Sequence, residues 1–408
     1  MSPHTLRNHG LRAVLASTAT VVVLAGCEVR GVIGSNKSMD GDGGVLDAGD
    51  AAVTSDDGPS VDDGVDDGAD DGDGVVDDAD DGDAGDDAVF DVGSPDAGES
   101  CLAPLSSVCE REGNPVFALG INCGGFDGDV TFEGDPRAMY VHTGMLGTSE
   151  IYTPREGNQM VILSTGDATD IPLAPSELQD KHPAACVDNN ENCPSQWLEP
   201  PVAPRPFLPA PMNKRAVSDD GTDCFEDPTL VGAGDCSNTI EAEFDAGDGW
   251  IDYAEIRIKA DVPETADAFA FEFAFFTAEY PVFGGSKHSM SVWNDMYIAW
   301  LESENWTGNV SFDKGGQPIT INSAFLDYRD ASTESCMGCT APQLAGFAAQ
   351  HHAGTDWLRT LAPVTPNESI ELIIAVMDMS DGNYDSAVLL DGFEWTCTDK
   401  PPLTLPAG

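Results

Sequence analysis

The chain has 408 residues, with 72 acidic against 18 basic side chains and a formal charge of -54. So acidic a surface repels nucleic-acid phosphates and anionic lipid headgroups, which excludes nucleic acid as an expected partner and leaves divalent cations or basic molecules compatible. The length allows one large domain or two smaller ones, with non-globular sequence besides.

At the start, Arg7 and Arg12 precede residues 13–25, a run that is apolar apart from Ser and Thr. Thirteen residues are too few to span a bilayer and suit the apolar segment of a signal peptide. The run ends in Leu24-Ala25-Gly26-Cys27, which resembles the lipobox of bacterial lipoproteins. That resemblance implies a signal peptide over 1–26 and lipid chains on Cys27, each buried methylene adding about 0.8 kcal/mol to anchoring. Glu28 follows, where in that family an Asp favours the inner membrane. The expected location is therefore the outer membrane, facing the cell surface or the periplasm.

Residues 27–100 form the lipidated N-terminus and a linker. Between positions 40 and 96 there are 22 Asp and no Lys or Arg. Too little apolar surface is available to offset chain entropy, so a disordered acidic stalk is expected. As a coil its length is roughly 50 Å, and roughly 240 Å at full extension. Asp71-Gly72-Asp73-Gly74 begins like a calcium loop, but it lacks a Glu at the twelfth position and flanking amphipathic helices, so an EF-hand is not supported.

A folded domain is expected over 101–397, with 398–408 as a C-terminal tail. Eleven cysteines less Cys27 leave ten, an even number in an oxidising compartment, and five disulfides are expected. Local spacing suggests Cys186 with Cys193, Cys224 with Cys236, and Cys336 with Cys339. Cys101, Cys109, Cys123 and Cys397 remain, one of them tying the last strand to the start of the domain. Closing so long a loop contributes roughly 4–5 kcal/mol on a chain-entropy estimate. Zinc held by Cys336, Cys339, His351 and His352 is disfavoured, because adjacent His side chains point apart.

Strands are expected at 116–123, 138–142 and 159–165. A Pro- and Cys-rich insertion or long loop follows at 182–238. Alternation resumes at 253–259, where Ala254, Ile256 and Ile258 share a face, and continues through Phe269, Phe271, Phe273 and Phe275. Further strands are expected at 296–301, 319–325, 370–377 and 386–390, with a short helix at 342–351. Many short strands separated by Gly and Pro indicate an all-β fold, an antiparallel β-sandwich or jelly roll.

Glu279, Asn294, Asp295, Asp378, Asp381 and Asp385 all stand beside expected strand ends. Calcium takes six to eight oxygens, and strand-end side chains can supply them from separate parts of a chain. The bland alternative is that these residues cap turns through their own side chains. An enzymatic alternative pairs Glu279 with Asp295 or Asp378 as the two carboxylates of a glycosidase, whereas no G-x-S-x-G elbow is present for a hydrolase of the serine type. At least four of the seven Trp are expected in the core, and Trp306 is the best exposed candidate for stacking on a sugar.

Several of these stretches share one pattern: Thr277, Glu279-Tyr280-Pro281, Phe283, Gly285-Ser286 and Trp293-Asn294-Asp295, then Asp378, Asp381 and Asp385-Ser386 before an apolar strand. Together with Arg155-Glu156-Gly157 and the apolar run after it, they resemble the choice-of-anchor L domain of bacterial surface proteins. Thr277 and Ala278 depart from its usual Ser-Glu, and residues 287–292 look like a short insertion. The resemblance implies a fold and a surface location and names no reaction. The combined expectation is an outer-membrane lipoprotein whose β-domain binds or adheres without catalysis, stabilised by calcium, with a glycan or a protein as ligand. A carbohydrate-active hydrolase and a stalked domain without ligand are the alternatives.

Overall fold

The computed structural model describes residues 101–408, except 106, 110, 183–204, 214–226, 232–235, 237–239, 241–243, 245–246, 283–292, 334–335 and 381. The expected signal peptide, Cys27 and stalk lie outside the described residues, as do Cys186, Cys193, Cys224, Asp381 and most of the insertion.

The described elements, in chain order, are a short helix α1 (Pro115–Ala118), β1 (Asp129–Glu133), β2 (Met139–Thr143), β3 (Gln159–Ser164), α2 (Pro175–Lys181), β4 (Trp250–Asp261) and β5 (Ala268–Thr277). There follow β6 (Met296–Glu302), β7 (Thr307–Asn309), β8 (Ile319–Thr320), β9 (Tyr328–Arg329), β10 (Ala353–Gly354), β11 (Leu358–Pro363), β12 (Ser369–Met379), β13 (Ser386–Thr396) and β14 (Leu403–Pro406). One sheet has the order β1-β4-β12-β6-β7, with β8 also on β6; the other runs β14-β11-β5-β13-β3-β2, with β10 joining β5 to β9. Pairing is antiparallel throughout these named strands. The fold is the expected all-β sandwich.

Its chain path places the site. β4, β6 and β12 belong to the first sheet, and β5, β11 and β13 to the second. The connections between them therefore cross from sheet to sheet at the ends of the sandwich.

The alternation read in the sequence is what fills the space between the sheets. Ala254, Ile256 and Ile258 from β4 meet Phe269, Phe271, Phe273 and Phe275 from β5 in one buried cluster. Phe273 stacks on Tyr297 of the opposite sheet with ring centroids 4.5 Å apart. Each such phenylalanine contributes about 2 kcal/mol through burial. β5 is covered on its other face too, where Ala274 and Phe276 pack with Tyr152 and Phe347. The outer face of the six-stranded sheet is covered by Leu208 and Met212, so the described part of the insertion acts as a strap with two apolar anchors.

Three disulfides are described. Cys101–Cys397 joins the start of the domain to the end of β13, Cys109 pairs with Cys123, and Cys336 with Cys339, as the spacing suggests. Cys236 is disulfide-bonded as well. His351 and His352 diverge, the first beside Asp330 and the second, buried, against the Tyr280 carbonyl at 2.9 Å.

Some expectations are corrected. Residues 116–123 are not a strand: Pro115 and the Asn114 side chain, which accepts from the Val116 amide at 3.0 Å, start a helical turn instead. The strand expected at 319–325 stops after Thr320, because the Thr320 and Ser323 hydroxyls accept from the Asn322 and Phe325 amides and turn the chain. At 342–351 only a 3-10 turn forms, Pro342–Leu344, and Gly346 follows at φ +86°. Trp306 is partly buried, packed on the core and bonded to the Asn309 carbonyl, while Trp293 is the exposed one among the described tryptophans. Residues expected as a C-terminal tail add β14 to the edge of a sheet.

Candidate functional site

Six strand ends meet at one end of the sandwich. The registers Ser386↔Thr277, Ala387↔Ser164, Met377↔Met296 and Met379↔Trp250 bring together the ends of β3, β5 and β12 and the starts of β4, β6 and β13. Besides the long connection from β3 to β4, two crossings leave from here, β5 to β6 and β12 to β13. Of the sequence-predicted residues, Glu279, Asn294, Asp295, Asp378 and Asp385 all sit at this end, and all are buried.

Asp295 holds the second crossing. Its Oδ1 accepts from the Met379 amide at 3.2 Å, just where the loop begins, and its Oδ2 accepts from the Ser386 hydroxyl at 2.7 Å, where the loop ends. The Thr165 hydroxyl accepts from the Ser386 amide at 2.9 Å, and the Asp385 carbonyl accepts from the Ala278 amide at 3.0 Å. Within this frame Ser380 and Tyr384 take positive φ, +72° and +83°. Such backbone is rare for non-glycine residues and persists only where its surroundings over-determine it.

Asp378 is the exception among these partners. It is 1 % exposed, and among the described residues neither of its carboxylate oxygens has a hydrogen-bond partner. Burial, then the charges of Asp295 and Asp385, push its carboxyl well above the usual range; the Thr165 hydroxyl offsets part of this, and Asp252 adds to it. A buried carboxylate without donors costs several kcal/mol if ionised, so it calls for a proton or a cation.

The predicted ligands are not drawn together equally. Asn294 Oδ1 accepts from the Asn322 amide group at 3.1 Å, facing β8 and the turn after it. The charges acting on Asp378 are those of Asp295, Asp385 and Asp252. Among the described residues these carboxylates stop short of a closed ion shell: only Cys101, Asp267 and Cys397 bring three ligand atoms within 4.8 Å of one another. Both of those cysteines are in a disulfide, which leaves no thiolate for a metal. Asp381 lies outside the described residues.

Beside the same end opens a cleft of about 830 Å³. Its walls carry Glu133 and Asp135 from the end of β1, Thr165 and Asp167 after β3, Trp250 and Asp252 from β4, and Arg205 and Phe207 from the insertion. Phe207 is 77 % exposed, Arg205 lies over the Trp250 ring at 4.8 Å, and Arg137 is paired with Asp135. Burial and then Asp135 raise Asp252 to about 6. Asp252 stands just ahead of the strand expected at 253–259, and its backbone sits at φ +47°, which periodicity does not reveal.

Comparison with known proteins gives one family. Residues 225–394 match the model of the choice-of-anchor L domain. This span begins after β1 to β3 and runs from the insertion into β13, taking in both crossings of the acidic end. No curated protein and no solved structure matches the chain.

Proposed function

On the premise that residues 225–394 form a choice-of-anchor L domain, we propose that this protein is a non-catalytic binding or adhesion module displayed from the outer membrane, with calcium stabilising its acidic end. A choice-of-anchor domain is a surface-associated type, which supports the location. The Leu24-Ala25-Gly26-Cys27 sequence supports a lipid anchor on Cys27, and the acidic residues 40–96 support a stalk that holds the domain clear of the membrane.

The observation that carries the calcium reading is Asp378, buried among acids with neither oxygen satisfied. Calcium around Asp295, Asp378, Asp381 and Asp385 supplies the missing positive charge and lets the second crossing close on it. The burial of Glu279, Asp295 and Asp378 at 1–2 % exposure favours this role over a glycosidase pair, whose carboxylates must reach a sugar. The cleft, with Phe207 on its rim, is the face for a glycan or protein ligand.

The test is a substitution at Asp378 or Asp385 to Ala. A stabilising ion predicts a lower melting temperature in calcium and little change in chelator. A catalytic role predicts an intact fold in both conditions with turnover removed, and that result contradicts the proposal.

A further inference from the structure

The acidic end and the cleft share a wall. Asp378 is paired in register with Ile251, and the next residue on β4, Asp252, lines the cleft. Asp252 is half-buried, and among the described residues nothing donates a hydrogen bond to it or pairs with its charge; the charges it meets are Asp135 on the cleft side and Asp378 on the buried side. Its carboxylate is turned toward the β12–β13 crossing. A Cβ added at Gly382 would stand 2.6 Å from Asp252 Oδ2, so the loop accommodates that oxygen only because position 382 is glycine.

Resting on the calcium reading above, we infer that a divalent cation reaches Asp378 from the cleft and that Asp252 is one of its ligands, so that the ion forms part of the cleft floor. Two observations support this. Asp378 lies fully inside the protein with both oxygens unsatisfied, and Asp252 offers an oxygen to the same loop from the solvent side. An ion held between them keeps a coordination position open toward the cleft, because calcium takes six to eight oxygens and, among the described residues, no three of the carboxylates of Asp252, Asp295, Asp378 and Asp385 bring their oxygens within 4.8 Å of one another. That position takes water, or an oxygen of whatever occupies the cleft. Glu279 and Asn294 then serve the crossing from β5 to β6 and do not ligate the ion.

Terbium is a suitable probe, since it substitutes for calcium and emits when an excited Trp or Tyr lies close by. The full-length chain can be used, because residues 40–96 contain neither Trp nor Tyr and ions held by their many acids stay dark. Trp250 is paired in register with Met379 and lines the cleft beside Asp252, which makes it the expected antenna. Terbium titration with calcium competition should show at least tenfold weaker binding for Asp252→Asn and for Asp378→Asn, and less than twofold change for Glu279→Gln. Trp250→Phe should lower the emission at saturation by more than half and leave the affinity unchanged. Asn tolerates the left-handed backbone at 252, and a melting temperature of Asp252→Asn in chelator no lower than that of the wild type verifies the fold.

Loss of binding in Asp378→Asn with wild-type affinity in Asp252→Asn would overturn this inference and leave the calcium reading standing. Wild-type binding in both variants would overturn both. Equal emission from Trp250→Phe would place the ion away from the cleft and also overturn the inference.

Discussion

The two ends of the sandwich handle buried acid in opposite ways. At the end where β4 turns into β5, β11 turns into β12, and β13 finishes, each buried or half-buried carboxylate meets donors. Glu368 accepts from the Glu304 amide at 2.5 Å and from the Thr365 amide at 2.6 Å, Asp267 accepts from the Thr398 amide at 2.8 Å, and Cys101–Cys397 closes the chain covalently. At the other end Asp295 also has its donors, but Asp378 has none among the described residues. A carboxylate that collects backbone N–H groups is part of a turn. One surrounded by other carboxylates without donors calls for a proton or a cation.

The largest effect should come from opening the closed end. Replacing Cys101 and Cys397 together with Ser should cost roughly 5 kcal/mol and lower the melting temperature by about 10–20 °C. Calorimetry should find the same loss in calcium and in chelator, since Glu368 and Asp267 there already have their donors. Glu368→Ala should follow at about 2–4 kcal/mol, because it leaves two backbone donors of that end without their acceptor, again independently of calcium. A calcium-dependent loss in either variant would break the distinction between the ends.

The acidic end should respond the other way round. With calcium at a hundred times its dissociation constant, the wild type should gain about 2.7 kcal/mol. Asp378→Asn should lose that gain and be no less stable than the wild type in chelator. Thermal denaturation of both proteins in both conditions checks this.

The smallest effect is in pH. Asp378, Asp252 (about 6) and Asp391 (about 7) all have carboxyls raised above the ordinary 3.8. Burial is the first cause in each case, and for Asp391 it outweighs the amides of Glu156, Arg155 and Gly392. For a raised acid the stabilising contribution is complete below the unfolded value and is lost as pH rises through the folded value. The chelated protein should therefore melt a few degrees higher at pH 5 than at pH 8. Calcium should remove the part of that fall due to Asp378 and Asp252, and Asp391→Asn should remove the remaining step near pH 7.

Much of this contrast was legible in the sequence in outline. The period of two through Phe269 to Phe275 gave β5 and its core face, and the count of cysteines gave a long-range bridge to Cys397. Strand-end acids were visible too, but sequence cannot distinguish Glu368 from Asp378, because what separates them is whether amides from other segments arrive. Asp252 was hidden for a related reason: its left-handed backbone turns the side chain toward a loop more than 120 residues later. At 116–123 the apolar residues look like a strand, but Asn114-Pro115 just before them is a local helix start that the sequence does contain.

The most direct test of a cation at Asp378 is a calorimetric titration of calcium into the wild type and into Asp378→Asn, each carrying the same acidic residues 40–96. The account predicts one saturable site in the wild type, over any weak background from those acids, and its absence in the variant. Identical isotherms for the two proteins would contradict it and return Asp378 to the role of a buried, protonated acid.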